Sequence, residues 1–306
     1  MDNSSRTGKI RLLVVDDSAF VRKALSRIFT GHPQIQVIDV ASDGESALAL
    51  AKRLKPDVVT LDVRMPVLDG LSALERIMAE CPVPVIMLSS LTDKGGEHTL
   101  RALELGAIDY VDKSAIGGSM NITSLAGELT TKILTAAKVD IGKLRISPMS
   151  RQETVQKPVV RLQQGNRAML VLIGSSTGGP QALRLVLGRI PADYPCPILV
   201  VQHMTPGFTA SLSERLDGTC AIKVKEAADG EKITPGTAYI APAGLHLKVR
   251  QIGADMIASL EDTPHNAVHR PSVDVLFESA ATACGAACVA FVLTGMGKDG
   301  AAGAEA

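Results

Sequence analysis

The chain has 306 residues, enough for two α/β domains that each bury a core of their own. Its 32 basic and 32 acidic residues give a formal net charge of zero, so no field of one sign would attract nucleic acid or anionic lipid. Hydrophobic residues make up 46% of the sequence, but aromatic residues only 3%. The cores are therefore predicted to be aliphatic, as in sheets covered by helices on both faces.

The five cysteines, an odd number, lie in or beside apolar segments, which favours free buried thiols. Cys284 and Cys288 have no second ligand pair nearby, so zinc is not predicted. The residues after Met1 lack the apolar stretch of a secretory leader, and the low-polarity stretch near 280–293 is too short to span a bilayer. We therefore predict a cytoplasmic protein with no direct membrane insertion.

The first part of the chain alternates apolar runs with amphipathic helical patterns. Val21, Leu25 and Phe29 fall on one helical stripe, and further helices are expected to end near Leu54 and Leu105. Five such β/α units predict a doubly wound parallel sheet. The predicted strands cover residues 11–15, 35–41, 58–61, 83–88 and 108–111.

The periodicity fades between residues 137 and 166, which predicts a linker between domains at 1–136 and 167–306. In the second domain, strands are expected at Leu170, at Ile198 and over 288–293. The helices are expected over residues 181–187, 211–216 and 273–283. Two short runs, 239–242 and 245–250, predict a local antiparallel insertion.

Polar groups follow the strands of the first domain. Asp16 and Asp17 end the first strand, Asp62 the third and Ser89 the fourth, and Lys113 follows the fifth. They are expected to converge, because parallel strands share a carboxyl edge. Three carboxylates repel one another unless a cation lies among them, and oxygen ligands suit Mg²⁺. A lysine and a hydroxyl beside them suit a phosphoryl group on one carboxylate. Alternatively, a strand-end aspartate such as Asp17 caps the next helix.

Residues 10 to about 135, with DVRMPVLDG at 62–70, resemble a two-component receiver domain. The resemblance implies a histidine kinase as phosphodonor and a role for each converging group. These roles are phosphoacceptor for Asp62, Mg²⁺ ligands for Asp16, Asp17 and Asp62, switch hydroxyl for Ser89 and phosphate contact for Lys113. Ser90 adjoins Ser89 and is the alternative switch residue.

In the second domain, Ser176, His203 and Asp299 each follow an apolar predicted strand, so they too are expected to meet at one sheet edge. A hydroxyl, an imidazole and a carboxylate are the parts of an activated-serine hydrolase. Ser176 lies in the pattern Gly174-x-Ser176-x-Gly178, which fits a turn that exposes the hydroxyl at a helix N-terminus.

Several alternatives are open from the residues alone. The glycine-rich turn could hold a nucleotide phosphate, although its spacing is not G-x-G-x-x-G and the next strand ends in Gln202 and His203 instead of an acidic residue. His265 and His269 are rival bases, and Asp299 could instead cap a following helix. The order Ser, His, Asp differs from that of α/β-hydrolases, which predicts a different scaffold.

The second domain, with its catalytic candidates in the order Ser, His, Asp, resembles the catalytic domain of chemotaxis protein-glutamate methylesterases, the CheB family. Four motifs carry the resemblance: IGSSTGG at 173–179, QHM at 202–204, HRPSVD at 269–274 and TGMGKDG at 294–300. The receiver–linker–catalytic arrangement matches too. The implied fold is α/β, with a flavodoxin-like receiver followed by a Rossmann-like methylesterase domain. The implied function is phosphorylation-activated hydrolysis of glutamate γ-methyl esters on chemoreceptor cytoplasmic helices, together with deamidation of receptor glutamines.

The resemblance also implies catalytic roles. Ser176 attacks the ester carbonyl, His203 relays the proton, Asp299 orients His203, and the backbone N–H of Met296 donates to the oxyanion. No cofactor is expected for ester hydrolysis. Family members continue through a further strand and helix, so the domain is expected to be C-terminally truncated. The alternative function is therefore a receiver fused to a catalytically impaired interaction module; a DNA-binding output is disfavoured by the neutral charge.

Overall fold

A computed structural model describes residues 8–89, 93–113, 122–139, 141, 170–265, 267–295 and 297–306, with main chain only at 93–96 and 122–124. The chain divides into two compact units, Met1–Ile146 and Ser147–Ala306. Most of the predicted linker, residues 137–166, lies outside the described residues. Among the described residues, no helix has both the length and the apolar character needed to cross a membrane.

The first unit is a parallel five-stranded sheet in the order β2-β1-β3-β4-β5, the flavodoxin-like order. Its elements are β1 (Ile10–Val15), α1 (Ala19–Ile28), β2 (Ile35–Ala41), α2 (Gly44–Leu54), β3 (Val58–Asp62), α3 (Gly70–Glu80), β4 (Val85–Ser89), α4 (Asp93–Leu105), β5 (Asp109–Asp112) and α5 (Ile122–Ala136). The predicted doubly wound sheet is confirmed, with strand ends shifted by one or two residues at most. Ligand crevices in such sheets lie where strand order reverses, here between β1 and β3.

The core of the first unit is mainly aliphatic. Leu12 and Val14 of β1 pack with Leu25 of α1 and Ile86 of β4 in one buried cluster. All five residues of β3 and of β4 are buried, as expected of strands covered by helices on both faces. This packing fixes the strand ends from which the polar side chains project.

The second unit also contains a parallel five-stranded sheet, in the order β12-β6-β7-β9-β8. Its elements are β6 (Leu170–Ser175), α6 (Gly179–Leu187), β7 (Ile198–Gln202), α7 (Thr209–Asp217), β8 (Lys223–Glu226), β9 (Thr237–Ile240), β10 (His246–Ile252), β11 (Asp255–Glu261), α8 (Val273–Cys284), a 3₁₀ turn (Gly285–Ala287) and β12 (Cys288–Val292). The order reverses at β6, which places a crevice at its carboxyl end.

The predicted antiparallel insertion is wrong in its first strand. Thr237–Ile240 is fully buried and lies in the parallel sheet, where Ala238 pairs with Ile198. The antiparallel hairpin is instead formed by β10 and β11. A four-residue apolar run carries too little periodicity to separate a buried parallel strand from a hairpin strand. On β10, Leu247 packs in one cluster with Phe277 of α8, which covers the hairpin.

Candidate functional sites

The acidic pocket of the first unit lies at the carboxyl ends of β1 and β3. Ligand oxygens of Asp16, Asp17 and Asp62 all lie within 4.8 Å of one another. Lys113 Nζ lies 3.0 Å from Asp16 Oδ2 and 2.5 Å from Asp62 Oδ2. Ser89 is buried at the end of β4, where its hydroxyl accepts a hydrogen bond from Thr99 Oγ1 at 3.1 Å. The pocket thus brings together the three carboxylates and the lysine.

The acidic pocket carries an excess of negative charge, because it contains three carboxylates and one lysine. Burial raises the pKa of Asp62, and Asp16 and Asp17 raise it further, although Lys113 opposes both effects. Burial alone would lower the pKa of Lys113, but the two neighbouring carboxylates raise it overall. A cation would relieve this repulsion, and the all-oxygen donor set fits the ligand preference of Mg²⁺.

The main chain at the pocket is held by the start of α1. Arg22 donates to the carbonyl oxygens of Asp16 and Asp17, at 2.7 and 2.9 Å. Ser18 is the cap of α1, because its hydroxyl accepts from the N–H of Val21. The alternative in which Asp17 caps this helix is therefore wrong, and its exposed carboxylate is free to face the pocket.

The second site lies where the parallel strands β6, β7 and β12 end. Ser176 occupies the turn between β6 and α6, and His203 directly follows β7. The N–H of Ser176 donates to the carbonyl of Thr294, in the loop after β12, at 2.8 Å. Ser176, His203 and Asp299 all line one cleft of about 330 Å³. The sheet thus brings the three predicted residues to a single cleft.

Asp299 is held by the N-terminus of α8. Its carboxylate accepts hydrogen bonds from Ser272 Oγ at 2.7 Å and from the N–H groups of Val273 and Asp274 at 2.8 and 3.0 Å. Burial would raise the pKa of Asp299, but hydrogen bonds from His203 and from this helix end hold it well below its ordinary value. Asp299 is therefore ionised, and it binds α8 instead of capping a following helix.

His203 is oriented by Asp299. Its Nε2 lies 2.8 Å from Asp299 Oδ2. Since a carboxylate only accepts hydrogen bonds, Nε2 carries the proton of the neutral ring and Nδ1 carries the lone pair. Nδ1 is buried and has no hydrogen-bond partner among the described residues. An imidazole nitrogen in this state can accept a proton from a hydroxyl that comes within hydrogen-bond reach.

The two rival bases, His269 and His265, do not occupy the position of His203 beside Asp299. His269 stacks on His203, with ring centroids 4.1 Å apart and an interplanar angle of 24°. Partial desolvation and the nearby His203 lower the pKa of His269, although Asp299 opposes this, so the ring is neutral near pH 7. His265 Nδ1 lies 3.3 Å from a guanidinium nitrogen of Arg270 and does not line the cleft.

Two supporting residues were missed from sequence. Ser272 caps α8 as well as donating to Asp299, and a serine directly before the apolar run of a helix is the signal that could have identified it. His246 is fully buried, accepts from the N–H of Ser272 at 3.2 Å and contacts the carbonyl of Pro264 at 3.3 Å. No local pattern marks His246, because its partners are distant in sequence.

The loop after β12 approaches Ser176 closely at Gly295. A Cβ atom on Gly295 would lie 2.6 Å from the Cβ of Ser176, and φ at Gly295 is +153°. Only glycine therefore allows the main chain to pass this near the serine. Met296, the predicted oxyanion donor, lies outside the described residues.

Comparisons with known proteins agree with this architecture. Residues 171–306 match the family model described as CheB methylesterase, and residues 12–120 match the response regulator receiver domain. The chain is 46% identical over 294 residues to a protein-glutamate methylesterase/protein-glutamine glutaminase of Geobacillus kaustophilus, covering 96% of this chain and 84% of that protein. It is 44% identical over 297 residues to a protein of the same name from Halalkalibacterium halodurans, covering 97% and 84%.

Among solved structures, the Thermotoga maritima CheB methylesterase catalytic domain is 44% identical, with a TM-score of 0.43 and coverage of 45% of this chain and 72% of that chain. The identity and coverage of the curated relatives decide the assignment, since they extend through both units. The chain belongs to the CheB methylesterase family and joins a response regulator receiver domain to the methylesterase domain of that family.

Proposed function

We propose that this chain is a phosphorylation-activated serine hydrolase that removes methyl groups from glutamate γ-methyl esters of chemoreceptors. The names of its relatives pair methylesterase with glutaminase activity, and both are extended here to this chain. One observation carries the proposal: His203 is bound through Nε2 to Asp299, its Nδ1 has no hydrogen-bond partner among the described residues, and His203 lines the same cleft as Ser176. This arrangement favours an active hydrolase over an impaired interaction module.

In the first half of the proposed reaction, Ser176 Oγ attacks the carbonyl carbon of the ester while its proton passes to His203 Nδ1. The imidazolium that forms is stabilised by ionised Asp299 across the 2.8 Å contact at Nε2. Collapse of the tetrahedral intermediate breaks the bond to the methoxy oxygen, which takes the proton from His203 and leaves as methanol. The backbone N–H of Met296 is the proposed donor to the oxyanion.

In the second half, a water molecule gives a proton to His203 Nδ1 and attacks the acyl carbon. Ser176 Oγ then leaves with that proton, and the product is the free glutamate side chain. A glutamine side chain follows the same course with ammonia as the leaving group. His203 alternates between base and acid in both halves, and no proposed step requires a cofactor.

The receiver unit is proposed to control this activity through Asp62. Asp62 accepts the phosphoryl group, Asp16, Asp17 and Asp62 bind Mg²⁺, Lys113 contacts the phosphoryl oxygens, and Ser89 is the switch hydroxyl. When bound, Mg²⁺ neutralises charge on the phosphoryl oxygens. A phosphoryl group adds about −1.5 to −2 charge and new acceptors, which can reorder the hydrogen bonds of its surroundings.

The proposed partners follow from the same assignment. The substrate is the set of methylated helices in the cytoplasmic part of chemoreceptors, and the phosphodonor is a histidine kinase. The protein is proposed to act in the cytoplasm without inserting into the membrane. Nucleic acid is not a proposed partner, because the 32 basic and 32 acidic residues balance.

The experiment that tests the proposal measures methanol release from a methylated receptor fragment by the purified chain. The assay is run with and without Mg²⁺ and a small phosphodonor such as acetyl phosphate. We expect turnover in both conditions and a higher rate with the phosphodonor. Ser176→Ala should lose turnover in both, whereas Asp62→Asn should lose only the stimulation. Absence of methanol release by the unmodified chain would show that it is not an active methylesterase.

A further inference from the structure

The side chain of Gln202 links the two loops that carry the proposed nucleophile and base. Its Nε2 donates to the carbonyl oxygen of Ser176 at 2.9 Å and to the carbonyl oxygen of His203 at 3.0 Å. Its Oε1 accepts from Ser175 Oγ at 2.7 Å. The side chain is buried, and the whole residue is 2% exposed. One amide thus bonds to the main chain of both reacting residues.

The orientation of this amide is fixed by its partners. Carbonyl oxygens only accept hydrogen bonds, so the NH₂ end must face Ser176 and His203. Both of its protons are used there, and the oxygen end is left to accept from Ser175. A flipped amide would bring its oxygen against two carbonyl oxygens and leave its donors without those acceptors.

The amide also lies where the strand ladder stops. The parallel pairing of β6 and β7 ends at the pair Ser175 and Gln202, and the last main-chain bond runs from the N–H of His203 to the carbonyl of Ser175 at 3.0 Å. Ser176 and His203 are therefore the first residues beyond the ladder. Gln202 supplies a cross-link at the point where ladder hydrogen bonds no longer set the distance between the two loops.

The space for this cross-link is provided by a glycine. A Cβ atom on Gly179, at the start of α6, would lie 1.8 Å from Gln202 Oε1. The carbonyl of Ser176 also accepts from the N–H of Gly179 at 2.7 Å, so helix start, amide and serine turn form one hydrogen-bonded unit. In the same network the hydroxyl of Ser175 donates to buried Gln202, so Ser175 is engaged away from the proposed chemistry at Ser176.

We propose that Gln202 is a positioning residue that holds the main chain of Ser176 and of His203 in a fixed relation to each other, so that their side chains can exchange a proton once substrate is bound. The inference rests on the proposed roles of these two residues. Proton transfer requires donor and acceptor within about 2.6–3.2 Å, and a displacement of about 1 Å in a reacting group can reduce the rate about 100-fold. Loss of both Nε2 bonds removes the side-chain link between the serine turn and the histidine loop and leaves only the main-chain bond from the N–H of His203 to the carbonyl of Ser175 among the links described above.

Two substitutions separate positioning from packing. Gln202→Glu keeps the shape of the side chain and the bond from Ser175, but it replaces the double donor with an acceptor. Gln202→Met keeps a similar volume and introduces no charge. Gln251→Glu is the matched control, because Gln251 is exposed on β10 away from the cleft. For each variant, the kcat and KM of methanol release, the melting temperature and the rate of sulfonylation of Ser176 by a small sulfonyl fluoride are measured.

For Gln202→Glu we expect kcat to fall about 30- to 100-fold, KM to stay within about threefold, and sulfonylation to slow in parallel with kcat. The introduced carboxyl group, buried against two carbonyl oxygens, will have a raised pKa, and its protonated form can donate to one of them. The kcat of this variant relative to the unmodified chain should therefore rise as the pH is lowered from 8 to 6. Gln202→Met should be slow at every pH, and Gln251→Glu should match the unmodified chain.

The outcomes distinguish this inference from the proposed function. If the unmodified chain releases no methanol, or Ser176→Ala still does, the proposed function fails first. If those controls behave as expected, an unchanged kcat in Gln202→Met overturns the positioning role. A Gln202→Glu deficit that does not vary with pH, or that appears in KM alone, overturns it as well. Should both variants melt below the assay temperature, Gln202 is a folding residue and the inference is wrong.

Discussion

His203 Nε2 lies 2.8 Å from Asp299 Oδ2, although 96 positions separate the two residues in the chain. The order of strands explains the contact, because β7 and β12 are the two neighbours of β6 in the sheet. Loops that leave the carboxyl ends of β7 and β12 therefore meet in front of the turn that follows β6, which carries Ser176. The base and its carboxylate thus come from the two strands that flank β6.

The first prediction separates the two adjacent serines. Ser175 Oγ is buried and donates to Gln202, whereas Ser176 lines the cleft. We expect Ser176→Ala to reduce kcat for methanol release by about four powers of ten or more, since the triad acts as a unit. Ser175→Ala removes one partner of the Gln202 amide and should reduce kcat by about tenfold or less. The reverse ranking of the two variants would assign the nucleophile to Ser175.

The second prediction concerns the charge on Asp299. Its pKa is depressed in the folded protein by His203 and the N-terminus of α8, so ionised Asp299 stabilises the fold. That stability is fully present above the ordinary aspartate pKa of about 4 and is lost as the pH falls toward the lower folded value. Asp299→Asn should therefore cost about 2 kcal/mol of unfolding free energy at pH 7 and less near pH 3.

Urea unfolding of the second unit, followed between pH 7 and pH 3, measures this difference. The same variant should lower kcat by about 10⁴-fold, because an amide no longer favours the Nε2-protonated ring and cannot stabilise the imidazolium. Ser272→Ala is the control, since it removes the hydroxyl that donates to Asp299 and caps α8 but keeps the carboxylate. An Asp299→Asn protein whose stability deficit is the same at pH 3 and pH 7 would contradict the ionised state.

The sequence predicts which side chains converge in each candidate site. Polar residues directly after apolar strands predict that Ser176 meets His203 and that Asp62 meets its neighbouring carboxylates, because parallel strands deliver their carboxyl ends to one edge. From the sequence, Gln202 has no predicted role beyond its place in the QHM motif and its lack of the acidic character of a ribose-binding group. Its role depends on two carbonyl oxygens from different loops, which no periodicity encodes. The hairpin was misplaced for a related reason: the partner of Thr237–Ile240 is set by tertiary packing.

The third prediction tests His269 as a packing partner of the base. The stacked rings of His203 and His269 make an aromatic pair, an interaction worth about 0.5–1.5 kcal/mol. His269→Ala should reduce kcat about 3- to 10-fold, and His269→Phe, which keeps a ring, should retain more activity. Both variants should keep far more activity than Ser176→Ala, because His203 remains as the base. A loss of about 10⁴-fold in both variants would instead make His269 the base.

The last prediction separates the metal requirement of the receiver from that of the hydrolase. The oxygens of Asp16, Asp17 and Asp62 lie within 4.8 Å of one another in the first unit, whereas the cleft at Ser176 belongs to the second. Removal of divalent cations with EDTA should therefore abolish the stimulation by acetyl phosphate and leave the basal rate of methanol release unchanged. Asp16→Asn should have the same effect when Mg²⁺ is present, since it removes a proposed ligand.

Radiolabelled phosphodonor measures phosphorylation of Asp62 directly, and Asp62→Asn supplies the background. A basal rate that falls on metal removal and recovers with Mg²⁺ would contradict metal-free hydrolysis, and stimulation that survives EDTA would contradict the assigned metal site.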